Sequence, residues 1–413
     1  MSNKKQVIQI TADKLLAAAK IATSDTSVTS DAQAAKVALV TMLSQTLKHG
    51  TDSPIADALK MAHEAEEFDA LDIIRDFTES VVTRVPSYNK ASDLQATTTL
   101  FAIPVISFVV GGLKPESRDL PDTNNFDLLA KSIKKAGIFS KDASVLLMRK
   151  LYHPDELGDL GFLEVSRILQ NIFKLFTQND PAAEASLDFG GSKAPTRMVD
   201  ENTMDITLRF LVGLVIENGD KPVLSPADYD DEQNPRYEEW SREAEKTLHK
   251  CMLLTESDTL VVLPPDEFFE SFRTGLTAYA DMGIMAGIHD GLTQKQATPR
   301  GAWVLVAPFE LDNHDIELHI SVLSRMDNSL LMGYVRKFWE HENPEEITDL
   351  LLGDLAEMGF HKVSLYEDVV PAQTCPCCGE ALFSTPHGLE HYPPPEGRSN
   401  QQKLLKSRAI LLH

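Results

Sequence analysis

The spacing of apolar residues divides the chain into two regimes, and the first, up to about residue 88, is helical throughout. Leu15, Leu16 and Ile21 follow Thr11, while Val37, Val40, Leu43 and Leu47 follow Ser30 and Asp31 and run on to Gly50. Apolar residues three and four apart make one stripe along a helix, and Ser, Thr or Asp ahead of the stripe supplies the first-turn acceptor. Pro54 suits the first turn of a third helix with Ile55 and Leu59, and a fourth carries Leu71, Ile74, Val81 and Val85 until Pro86 stops it. Four short helices with brief connections predict a helical subdomain over residues 1–88, a packing layer with no site of its own.

After a polar linker (Ser87–Thr98) strands and helices alternate. Leu100–Val110 reads as a buried strand despite Pro104, Phe126–Ile138 as a helix and Ser144–Leu151 as a strand. Phe162, Val165, Ile168, Leu169, Ile172, Phe173 and Phe176 then form one amphipathic stripe, and Ile206–Ile216 is a further strand. These elements predict a first α/β lobe over 98–222, with a loop rich in Ala, Gly, Ser and Pro inside it (Pro181–Asn202) and an acidic one after it (Pro222–Arg236).

A second lobe is expected over 237–370. Tyr237–Leu253 is a helix, Thr259–Leu263 a strand, and Asp266 caps a helix bearing Phe269, Phe272 and Leu276. A three-strand meander follows at Ala302–Ala307, Ile316–Ser324 and Leu330–Arg336, with turns at Asp312-Asn313 and Asp327-Asn328. In its middle strand Ile316, Leu318, Ile320 and Val322 alternate with Glu317, His319 and Ser321, the pattern of a half-buried strand. Helices 266–281 and 345–358 are expected to cover the apolar face. The second is marked by Asn343 as cap, Pro344 at its start and Gly359 as its stop, and a strand His361–Leu365 closes the lobe. The order β-α-β-β-β-α-β resembles an elaborated ferredoxin-like sandwich, so the expected class is α/β in alternation and α+β in layering.

Chemistry concentrates near the C-terminal end. In Cys375-Pro376-Cys377-Cys378-Gly379 the first and last cysteines have Cys-x-x-Cys spacing, and Pro and Gly shape a tight turn on which two thiolates converge. His387 and His391 follow, completing Cys-x2-Cys-x8-His-x3-His, a donor set for tetrahedral zinc. The turn resembles the knuckles of zinc ribbons, although the second Cys pair of a ribbon is absent. Cys375, Cys378, His387 and His391 are therefore the expected ligands of one structural zinc ion, with Cys377 able to replace either thiolate. A thiol–disulfide pair and plain unmetallated cysteines are the alternatives for the same residues. The module is expected over 371–392, followed by a flexible tail over 393–413 that holds Arg398, Lys403, Lys406 and Arg408.

Composition narrows the functional classes. With 39 Lys+Arg against 62 Asp+Glu, the formal net charge of −23 disfavours phosphate backbones and anionic lipid as partners. No apolar run reaches the ~20 residues a bilayer-spanning helix needs, no secretory pattern follows Met1, and four cysteines make no disulfide framework. A cytoplasmic protein without a membrane span is expected. No Gly-x4-Gly-Lys-[Ser/Thr], Gly-x-Gly-x-x-Gly, Gly-x-Ser-x-Gly or His-Glu-x-x-His motif occurs. The function expected is that of a non-catalytic binding or scaffold protein with a protein partner, and no catalytic residue is assigned. The alternative is a metal-dependent hydrolase built on His289, Asp290, His314, Asp315 and His319.

Overall fold

Four helices open the chain: α1 (Ala12–Ala22), α2 (Ser30–Lys48), α3 (Ser53–Glu64) and α4 (Phe68–Thr83). The computed structural model describes residues 10–23, 30–89, 94–110, 123–139, 143–158, 160–177, 204–218, 234–311, 315–339, 341–376 and 379–392. Helix α1 packs on the other three, and Leu15, Leu16, Leu39, Leu43, Ile55 and Ile74 are buried. The fourth helix ends at Thr83 instead of Pro86, and strand β1 (Arg84–Asn89) begins at once. It pairs antiparallel with the start of β2 (Leu94–Val110), so much of the expected linker is sheet. Pro86 is tolerated because β1 is an edge strand, whose outward side requires no N–H donor.

The chain then runs through α5 (Thr123–Ala136), β3 (Ser144–Tyr152), α6 (Pro154–Gly158), α7 (Phe162–Thr177), β4 (Met204–Asn218), α8 (Asn234–Cys251), β5 (Thr259–Val262), β6 (Asp266–Glu267) and α9 (Phe268–Gln294). The first sheet has the order β1-β2-β4-β3, and β5 and β6 also pair with β2. Period-two alternation along β2 sends Phe101, Ile103 and Val105 into a core with Phe126, Leu129 and Ile133 of α5 and Trp240, Ala244 and Leu248 of α8. On the other face Phe210 packs on Phe272, with ring centroids 5.3 Å apart, and α7 lies against β2 and β4. Pro104 stands between the residues of β2 that pair with β6 and those that pair with β5, and its carbonyl accepts from Leu263 N at 3.0 Å. The missing N–H of a proline therefore falls where this long strand changes partners.

Two compact units divide the chain, and the division falls within α9 between Gly275 and Leu276. In the first unit, Arg273 makes a two-pronged ion pair with Glu79 of α4 at 2.7 and 2.8 Å, and Arg84 pairs with Glu267. The second unit contains a 3-10 turn (Pro299–Gly301), β7 (Ala302–Glu310), β8 (Ile316–Ser324), β9 (Leu330–Lys337), α10 (Pro344–Glu357), β10 (Val363–Leu365), β11 (Val370–Pro371), β12 (Leu382–Thr385) and β13 (Gly388–His391). Its sheet has the order β10-β7-β8-β9; the meander is antiparallel, while β10 and β11 run parallel to β7. Strand β5, expected to begin this lobe, belongs to the first sheet, so the strand that a ferredoxin-like order requires is missing here. The coarse class stands: the protein is a mixed α+β chain.

Leu318, Ile320 and Val322 are covered as expected by two helices, α9 through Ile284, Ile288 and Leu292 and α10 through Leu351 and Leu355. The covering part of α9 lies beyond the stretch 266–281 because the helix continues to Gln294. The α10 cap also forms as read, Asn343 accepting from Glu345 N at 3.0 Å and Gly359 taking φ +83 at the far end. The opposite face of β8 departs from a half-buried strand. Glu317, His319 and Ser321 are buried as well, because the β12–β13 hairpin packs there, with the Phe383 ring where a side chain on Gly333 would lie.

One glycine tests the packing of the first sheet. A Cβ on Gly213 would lie 2.5 Å from the Phe101 ring and 2.7 Å from the Leu146 carbonyl oxygen, a backbone atom that cannot swing aside. Gly213→Ala is expected to destabilise the first unit by ~1–3 kcal/mol, read as a lower urea midpoint.

Candidate functional site

After β11, backbone hydrogen bonds draw Cys375 together with Gly379 and Glu380. Cys375 N donates to Glu380 O and Gly379 N to Cys375 O, each at 2.7 Å, and Thr374 and Ala381 form a bridge that continues the turn as a short antiparallel pair. Gly379 has φ +75, a left-handed value that a side chain would strain. Cys375 is buried. Cys377 and Cys378 lie outside the described residues.

The hairpin that follows orders the two histidines. Leu382 pairs with His391 and Thr385 with Gly388, so His391 lies at the knuckle end and His387 at the opposite, turn end. Three register steps separate these pairs, about 10 Å along a strand. His387 is exposed, and its Nε2 lies 3.1 Å from Asp327 O, which it engages as an N–H donor. Thr385 fixes the turn: its hydroxyl accepts from His387 N at 3.1 Å and lies 2.9 Å from Gly388 O. Of the expected ligands, His391 lies at the end of the hairpin that follows the Thr374–Ala381 bridge beside Cys375, and His387 lies at the other. Among the described residues no three His, Cys, Asp or Glu side chains gather as a metal site.

Of the histidines of the alternative hydrolase site, His289 and His319 are separated by the sheet. His289 lies near the C-terminal end of α9 with its side chain 77% exposed, on the helix-covered side. His319 is on the hairpin side and 1% exposed. His314 lies outside the described residues.

His319 is instead enclosed by partners. Its Nδ1 is 2.6 Å from Leu382 O and its Nε2 is 2.9 Å from Glu317 Oε1. Phe309 stacks on the imidazole with centroids 3.8 Å apart and planes 13° apart, and Phe383 closes the site at 5.3 Å. Lys337 Nζ is 3.4 Å from the second carboxylate oxygen of Glu317. Burial acts to raise the Glu317 pKa, but the hydrogen bond from His319 and the charge of Lys337 outweigh it and hold the carboxyl below its ordinary range. The sequence shows Glu317 and His319 two apart on one strand face. It does not show what covers them, because that cover comes from residues more than sixty positions later.

A second polar cluster went unread in the sequence. Arg336, 1% exposed, donates from Nε to Asp281 at 2.6 Å and from its two terminal nitrogens to Glu342 at 2.9 and 2.7 Å. Trp339 N donates to the same Glu342 carboxylate at 2.9 Å, and Thr277 bonds to it too. Burial raises the Asp281 pKa, opposed by the hydrogen bond from Arg336 and aided by the like charge of Glu342. Burial would lower the Arg336 pKa, yet both carboxylates bring it above its ordinary value. The cluster fastens the start of the loop after β9 to α9, and its donors and acceptors are spent on one another.

These features define a class: an α+β protein of two sheet-based units, the second ending in a cysteine knuckle and a hairpin seated on a buried His–Glu pair. The chain belongs to the family described as "Protein of unknown function (DUF2863)", whose model matches residues 1–404. No curated protein and no solved structure matches the chain.

The Arg336 cluster predicts a contrast between two substitutions. Arg336→Met leaves two carboxylates buried without their cation and is expected to destabilise the second unit by ~3–5 kcal/mol. Asp281→Asn keeps an acceptor for Nε and removes a carboxylate already pushed toward its neutral form, so a loss of ~1 kcal/mol or less is expected. Urea midpoints of the two variants should differ accordingly.

Proposed function

We propose that this chain acts by binding another protein rather than by catalysis, and that the edge of its second sheet receives the partner. The observation that supports this is the segment 363–371. β10 turns Lys362 O and Tyr366 N toward β7, which leaves the backbone groups of Val363 and Leu365 on the outer side. Leu365, Tyr366 and Val369 expose 45, 44 and 52% of their surface, and Leu350 on α10 exposes 64%. Open strand edges carrying apolar side chains are templates for an added strand.

Charge selects the kind of strand. Glu345, Glu346, Asp349 and Glu357 of α10 are exposed, as are Glu367 and Asp368 beside the edge. Burial and the like charge of Glu357 raise the Asp354 pKa. A second copy, carrying net charge −23, is repelled by this surface. The fitting partner is an extended segment alternating apolar residues with Lys or Arg.

The knuckle serves in this reading as a structural zinc module, with Cys375 and Cys378 as thiolate ligands and His391 as the imidazole at the same end of the hairpin. His387 joins the set only by giving up its bond to Asp327. Two thiolates kept ready for a metal suit a reducing cytoplasm, where the protein is proposed to work.

Calorimetry with a synthetic peptide of alternating Val and Lys should show binding that weakens as salt rises, and a Val/Glu peptide should show none. Leu365→Lys combined with Val369→Lys is expected to weaken the basic peptide at least about tenfold, ~1.4 kcal/mol. Equal affinity for both peptides, or no effect of the double substitution, contradicts the proposed edge. Elemental analysis should find about one zinc per chain in protein purified without added metal, and Cys375→Ser should lose it. Metal-free wild-type protein contradicts the zinc module.

A further inference from the structure

We propose that His319 is a doubly protonated latch that holds the C-terminal hairpin on the second sheet and releases it when the imidazole gives up one proton. The argument begins with a donor and acceptor inventory. Nδ1 lies 2.6 Å from Leu382 O, and a carbonyl oxygen has no proton to give, so Nδ1 must carry one. Nε2 lies 2.9 Å from Glu317 Oε1. Lys337 Nζ lies 3.4 Å from the other Glu317 oxygen, and a carboxylate facing that cation offers Oε1 as an acceptor too, so Nε2 must also carry a proton. An imidazole facing two acceptors satisfies both only as imidazolium.

The surroundings accommodate that charge. On β8 it faces the Glu317 carboxylate, and Ser321 on the same face has a buried hydroxyl with no hydrogen-bond partner among the described residues. From β9, Lys337 lies 3.4 Å from the second Glu317 oxygen. β7 contributes the Phe309 ring, stacked at 3.8 Å, and β12 contributes the Leu382 carbonyl and the Phe383 ring. β13 carries Glu390, whose carboxylate lies 3.0 Å from Thr385 Oγ1.

Loss of one proton to solvent leaves a nitrogen lone pair against a carbonyl or a carboxylate. The site is 1% exposed, so no water can relieve the clash. If Nδ1 is the nitrogen stripped, the bond to β12 is lost directly. If Nε2 is stripped, the repulsion falls on Glu317. In either case the imidazole no longer satisfies the seat of the hairpin, which packing of Phe383 over Gly333 and the bond from His387 to Asp327 O are left to hold. While opening releases one proton, the opening equilibrium rises about tenfold per pH unit.

This device does not rest on the docking edge or on the metal, and because the hairpin carries His391 its test is run at one fixed zinc content. Nitrogen-15 NMR of the His319 ring in full-length protein at neutral pH should find both nitrogens protonated. Hydrogen exchange, corrected for intrinsic rates, should show protection of 382–391 falling as pH rises while strands 302–337 stay protected. Glu317→Gln is the decisive variant: its amide NH2 can donate to a neutral Nε2, leaving Nδ1–H for Leu382. In that variant the hairpin should stay closed with no pH slope, whereas His319→Gln should loosen it at every pH. A singly protonated ring at neutral pH overturns the proposal, as does one pH profile shared by wild type and Glu317→Gln. The ring measurement needs no variant, so the proposal stays testable if a substitution prevents folding.

Discussion

A polar group taken out of water has to find its partner within the protein, and in the second unit this requirement fixes where elements end and how they are seated. Arg336 is nearly inaccessible yet satisfied, because the loop after β9 brings Glu342 back onto it while α9 supplies Asp281. His319 imposes the same demand from the other face of the sheet, and Leu382 and Glu317 meet it. An apolar pair in either place would tolerate small shifts of loop or hairpin. A guanidinium with three fixed acceptor contacts and an imidazole between two acceptors do not, so each ties one stretch of chain to one position.

The sheet of the second unit is therefore built in two steps with different specificity. Its helix-covered face is closed by Ile284, Ile288, Leu292, Leu351 and Leu355, aliphatic side chains that fill volume without directional demands. Its other face is closed by a short hairpin with little apolar surface of its own, whose main large contribution is Phe383. A segment of that size gains too little from burial to dock unaided, since one fully buried aromatic contributes ~1.5–3 kcal/mol. Directional contacts to His319 and close approach at Gly333 supply the rest.

How far the sequence could be read follows from the range of each interaction. Local signals were legible: the Asn343-Pro344 cap, the Gly359 stop and the period-two face of Ile316, Leu318, Ile320 and Val322 all depend on neighbours a few residues away. Pro104 was compatible with a strand, but the reason lies in where β5 and β6 meet β2, about 160 positions further on. The stretch after Pro86 has the pattern of a linker, because polar side chains along an edge strand look the same as loop. Strand β5 has the composition of any short buried strand, so nothing local assigns it to the first sheet instead of the second. The polar face of β8 was misjudged for the same reason: alternation reports that two faces differ, not that both are covered. The Cys-x-x-Cys turn was visible, whereas the placement of His387 and His391 at opposite ends of a hairpin required the register of β12 and β13.

The edge proposed for docking, the cysteine turn and the hairpin proposed to be latched follow one another within residues 363–391, and chain continuity gives that order a physical consequence. β11 holds its place on β7 through a short pairing and the bond from Ala372 N to Glu310 O at 2.7 Å, and the knuckle begins two residues later. Thr374 bridges Ala381, and Cys375 is bonded to Gly379 and Glu380, so the two ends of this link are held together. A hairpin that leaves the sheet must then either bend this link or draw on β11. If zinc stiffens the knuckle, bending is disfavoured and more of the movement reaches the strand edge; without the metal the knuckle absorbs it. The metal proposed for the knuckle would thus decide how strongly protonation at His319 is felt at Val369 and Val370, although it touches neither the histidine nor the edge.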